Sequence, residues 1–61
     1  MNEAHWTELA PDRSILESND GREKGRIEFR PDAWWASTPD LGLIGVRESQ
    51  SEAQQLVEQN V

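Results

Sequence analysis

The 61 residues predict an α+β fold: a small three- or four-stranded antiparallel sheet with a C-terminal helix packed on one face. Three observations carry this expectation. The stretch Arg26-Ile27-Glu28-Phe29-Arg30 alternates polar and apolar residues with period two, the mark of a half-buried strand. Asp20-Gly21 is a pair suited to the tight turn of a β-hairpin. From Ser49 onward, Ala53, Leu56, Val57 and Val61 recur at helical spacing behind a Ser49/Glu52 capping box, with Ser51/Gln54 as the alternative cap.

The remaining elements follow in chain order. Asn2 can cap a short helix over Glu3 to Ala10 that Pro11 ends; a strand through Trp6 to Leu9 competes with it. If Asp20 and Gly21 are the two loop residues of a hairpin, Glu17 faces Lys24, Ile15 faces Arg26 and Arg13 faces Glu28, with Leu16 and Ile27 on the other face. A longer loop from Asn19 to Gly25 is the competing reading. Ile27 and Phe29 are expected to point inward. Pro31-Asp32 should break or bulge the ladder before Ala33 to Thr38 resumes as a strand, in which one of Trp34 and Trp35 faces the core and the other faces out. Thr38-Pro39-Asp40 reads as a turn. Leu41 to Arg47 reads as a strand whose apolar density suggests burial and whose glycines permit close approach of another backbone.

A single domain of this size buries only about 60% of the surface its unfolded chain exposes, which leaves little room for a deep pocket. Cysteine is absent and His5 is the only histidine, so disulfides, thiolate metal sites and a Cys or His nucleophile–base pair have no residues to form them. The four glycines make no phosphate-binding pattern. No catalytic residue, metal ligand or cofactor is therefore expected. The N-terminus lacks a secretory pattern and no apolar run approaches the roughly 18 residues of a membrane span, so a cytoplasmic protein without a membrane partner is expected.

Charge is the most informative property. Twelve acidic against six basic residues give −6, distributed as −4 over residues 1–20, +2 over residues 21–30 and −4 over residues 31–61. Negative blocks on both sides of the basic stretch argue against direct nucleic-acid binding and for attraction to basic proteins. Glu17, Asp20, Asp32, Asp40, Glu48, Glu52 and Glu58 fall in turns, at strand ends and on the exposed helix face, and are the candidate partner-binding carboxylates. Trp34 joins them as a candidate interface anchor, with Trp35 as the alternative.

In size, acidity, lack of cysteine and single-domain plan, with dispersed carboxylates around a frame of Ile27, Phe29, Trp35, Ile44 and Leu56, the chain resembles the small phage-encoded inhibitors, among them the anti-CRISPR proteins that mimic DNA. The resemblance implies a stoichiometric inhibitor in the host-cell cytoplasm that occupies the basic surface of a nucleic-acid-handling complex such as a CRISPR effector. The alternative is a Trp-anchored interaction module, an antitoxin or regulatory subunit, acting as monomer or homodimer.

Overall fold

The computed structural model describes residues 4–61; Asn2 and Glu3, the expected start of an N-terminal helix, lie outside the described residues. Five strands, β1 (Ala4–Ala10), β2 (Arg13–Ser18), β3 (Glu23–Arg30), β4 (Ala33–Thr38) and β5 (Gly42–Arg47), precede one helix, α1 (Gln50–Glu58). The strands form an antiparallel meander in the order β1-β2-β3-β4-β5, and α1 lies over β3, β4 and β5 on one face. The fold is α+β as expected, with five strands in place of three or four.

The extra strand is the N-terminal segment. Eight residues make a marginal helix in water, whereas β2 offers this segment a ladder that pairs its backbone from Ala4↔Ser18 to Ala10↔Arg13. Trp6 lies opposite Leu16 and packs against the core, and its indole Nε1 donates to Glu58 Oε2 at 2.8 Å, tying the edge strand to the far end of α1.

All three prolines precede an aspartate, and each Pro-Asp pair sits in a turn. Pro11-Asp12 joins β1 to β2 and Pro31-Asp32 joins β3 to β4 as two-residue loops between Ala10↔Arg13 and Arg30↔Ala33. Proline presets the first turn position. What looked like a break in a strand at Pro31 is thus a hairpin. Pro39, Asp40 and Leu41 form a three-residue loop closed by Gly42 at φ +73, with Thr38 Oγ1 accepting from the Leu41 N–H at 3.1 Å.

The β2–β3 hairpin combines parts of both expected readings. Its loop has three residues, Asn19, Asp20 and Gly21; Gly21 takes φ +85 and its N–H donates to the Ser18 carbonyl at 2.9 Å. Glu17 then lies opposite Glu23, not Lys24, and an unpaired Lys24 restores the register, so that Ile15↔Arg26 and Arg13↔Glu28 pair as expected. Single-residue bulges of this kind also occur at Leu9 and Ile44, and bulges bend a sheet and increase its twist.

The core is small: Leu16, Ile27, Ala36, Ala53 and Val57, with Trp6, Trp34, Ile44 and Leu56 packed against it. Ser49 caps α1, its hydroxyl accepting from the Glu52 N–H at 3.1 Å. Ala53 and Val57 face the sheet as the spacing requires, while Val61 lies past the helix end and is exposed. Three expectations of burial fail. Phe29 shares the face of Ile27 but remains 40% exposed, because α1 does not cover the outer end of β3; its ring packs on Trp34 at 5.4 Å. Trp35 is outside the core and Trp34 takes the inward place. The apolar run from Leu41 is an edge strand with its preceding loop, so Leu41, Leu43 and Val46 are exposed.

Helix and sheet meet at two glycines. A Cβ at Gly25 would collide with Val57 Cγ1 and lie 3.2 Å from the Ser37 carbonyl oxygen; one at Gly45 would lie 2.6 Å from Leu56 Cδ2. Gly25→Ala should therefore lower stability by about 1–3 kcal/mol, the usual cost of overpacking. Gly25→Ala combined with Val57→Ala should lose less than the two single changes together, since the collision is absent from the double variant. Urea midpoints of the four proteins measure both effects.

Candidate functional site

The sheet has two unlike faces. Strand alternation and register place Ser14, Leu16, Gly25, Ile27, Ala36 and Gly45 under or beside α1. The opposite face carries no helix. Across it run rows of directly opposed residues: Arg13, Glu28, Trp35 and Val46 in one, Thr7, Ile15, Arg26, Ser37 and Leu43 in the next, then His5, Glu17 and Glu23. Arg30 and Ala33 close the other end.

This open face is electrically balanced. Its acids Glu17, Glu23 and Glu28 equal its arginines Arg13, Arg26 and Arg30 in number, and two pairs are bonded: Arg26 Nη2 to Glu23 Oε1 at 2.9 Å and Arg30 Nη2 to Glu28 Oε2 at 3.2 Å. Glu17, directly opposite Glu23, accepts the Thr7 hydroxyl at 2.9 Å. The bonds to Glu23 raise the Arg26 pKa above its ordinary value. Since this face sums to zero, the excess of acid among the described residues resides on the helix side and the loop ends, where eight of the other nine acids stand against Arg22, Lys24 and Arg47. Glu3 among those nine lies outside the described residues.

The candidate carboxylates divide accordingly. Asp32 in the β3–β4 turn, Glu48 after β5 and Glu52 in the first turn of α1 share one end of the sheet, together with Asp12 of the β1–β2 turn. All four are exposed. Asp20 and Asp40 occupy loops at the other end, Glu58 is held at the helix terminus by Trp6, and Glu17 belongs to the neutral face. Asp12 was legible as the acid of a Pro-Asp turn but was not singled out from the sequence. Of the two adjacent tryptophans, Trp34 packs against the core; Trp35 lies on the open face, 38% exposed, its Nε1 donating to the Arg30 carbonyl at 3.1 Å.

A shallow groove of about 600 Å³ lies between the β2–β3 hairpin and the chain's C-terminal end, lined in part by Arg22, Glu23, Lys24 and Asp40. His5 is exposed on β1, opposite Glu17. Among the described residues no three histidine, aspartate or glutamate side chains gather at metal-binding distance, and no helix is long and apolar enough to cross a membrane.

Asp20 titrates below an ordinary aspartate. The Ser18 hydroxyl, then the Arg22 backbone N–H at 3.2 Å, donate to its Oδ1 and hold its pKa below the ordinary value. These bonds favour the charged form, so they support the loop above the ordinary aspartate range and are lost as pH falls through the lowered value. A carboxyl NMR titration should show Asp20 titrating below the ordinary aspartate value, and Ser18→Ala should move it upward.

Comparison with protein-family models, with curated proteins and with solved structures finds no match to this chain.

Proposed function

We propose that the chain is a non-catalytic, stoichiometric inhibitor that lays an acidic surface against the basic nucleic-acid-binding surface of a protein or complex. The observation that carries this reading is the partition of charge: one face sums to zero and the excess of acid among the described residues is displayed elsewhere, with Asp12, Asp32, Glu48 and Glu52 at one end of a rigid sheet. Carboxylates fixed on turns and a capped helix lose little entropy on binding and offer negative charge where a phosphate backbone would otherwise sit. A nucleic-acid-guided effector with a basic channel, the partner class that the resemblance to anti-CRISPR proteins implies, suits such a surface.

The test is competition. Titrated into a guide-loaded CRISPR effector, the chain should displace a labelled DNA target, and the displacement should weaken as salt rises to about 0.5 M, where the Debye length falls to a few ångströms. The combined changes Asp32→Lys, Glu48→Lys and Glu52→Lys should reduce inhibition at least tenfold without altering the circular dichroism spectrum. Competition that is unchanged by salt and by the triple variant would sink the electrostatic mechanism.

A second reading, the Trp-anchored interaction module, is favoured by a separate observation. Trp35, Val46 and Leu43 lie uncovered on the neutral face, where apolar contact meets no excess of charge. The two readings use different surfaces and are compatible. Under the second, Trp35→Ala should abolish association through the open face and leave the Asp32/Glu48/Glu52 surface active in the DNA competition.

A further inference from the structure

We infer that the partner on the open sheet face is a second copy of this chain, stacked face to face about a two-fold axis that crosses the strands. The inference rests on reading that face as a binding surface, and it is independent of what the acidic end binds.

Charge selects the occupant first. Two copies at −6 each repel one another over most approaches, and the open face is the surface on which each presents zero net charge. The order of residues on that face is also self-complementary. An axis lying between the Trp35 row and the Ser37 row sets each row of one copy over the other row of its partner. Val46 then meets Leu43 of the second copy, Trp35 meets Ser37, and Glu28 meets Arg26. One row farther out, Glu23 meets Arg30. Together with the bonds Arg26–Glu23 and Arg30–Glu28 already made within each chain, these contacts close rings of alternating charge. In such a ring each arginine has a carboxylate on both sides. Sheets pack in this way about 10 Å apart, with strand directions within about 30°.

Size and apolar content agree. Five strands spaced about 4.8 Å apart and some six residues long give a face of roughly 400 Å² in projection, and more when corrugated by side chains. That approaches the roughly 500 Å² per partner at which specific interfaces begin. The strip of Trp35, Val46 and Leu43 supplies its apolar part, and among the described residues the chain's own core has only five buried apolar residues. A chain this short commonly gains what its core lacks from a second subunit.

Sedimentation velocity at about 0.15 M salt should show a reversible species of twice the 7.0 kDa chain mass. Arg26→Glu and Glu28→Arg should each be monomeric, because each places like charges opposite one another across the axis. An equimolar mixture of these two variants should dimerise again, since glutamate at 26 of one chain then meets arginine at 28 of the other and the reverse pair is also restored. That recovery separates a contact between copies from a folding defect, which mixing would not repair. Trp35→Ala should also be monomeric, with an unchanged circular dichroism spectrum. A wild-type chain that stays monomeric up to millimolar concentration, on the order of the weakest specific affinities, would overturn the inference, as would variants that fail to recover on mixing. If the inference is overturned in this way, loss of a different protein's binding in Trp35→Ala would keep the open face as a binding surface and assign it to that protein.

Discussion

The structure depends on how closely one short helix can approach the sheet. A nine-residue helix is about 13.5 Å long, while five strands span about 19 Å, so α1 can shield only part of one face. It does so by lying very near the backbone, with Val57 over Gly25 and Leu56 over Gly45. Two of the five core residues are alanines, Ala36 and Ala53, which suits the same close contact. The edge strand β1 is not covered by α1 and is held by its ladder to β2 and by the Trp6–Glu58 hydrogen bond to the helix end.

The charge pattern follows from this architecture. Because one face of the sheet has no cover, every second residue of the central strands meets solvent, and Arg26, Glu28 and Arg30 alternate with Gly25, Ile27 and Phe29. Arginine and glutamate balance on the exposed face, with Arg13 paired across strands to Glu28, while Glu17, opposed to Glu23, has its carboxylate taken up by the Thr7 hydroxyl. At the turns no such restraint operates. Aspartate follows each proline there, and the excess of acid collects at the two ends of the meander and around the helix.

The parts governed by local chemistry could be read from the sequence. The period-two strand at Ile27, the cap at Ser49 and the Arg13–Glu28 register all appear where alternation, capping and pairing place them. What could not be read depended on partners distant in the chain. Whether Trp6 joins a helix or a strand is decided by the neighbouring β2, and the exposure of Leu43 and Val46 is decided by β5 being last in the sheet. The apolar density of Leu41 to Arg47 suggests burial because nothing in that segment reports where the sheet ends. Of the candidate carboxylates, their exposure followed from turn and helix positions, but their division between two ends and a neutral face required the strand order. The order of Trp34 and Trp35 followed from the Pro31-Asp32 hairpin, which sets the parity of β4.

The two proposed surfaces constrain each other geometrically. A two-fold axis across the strands lays the Asp12/Asp32/Glu48/Glu52 end of one copy over the Asp20/Asp40 end of the other. A dimer would thus carry one such acidic end at each pole, with its two helices facing away from the interface. The two poles lie at opposite ends of the stacked sheets, in a chain whose longest extent is 34 Å. Bivalent gain within one effector therefore requires a basic channel that reaches both ends at once. A shorter basic site would instead give one effector at each pole and two partners per dimer, whereas a monomer would bind one effector per chain without bringing two effectors together.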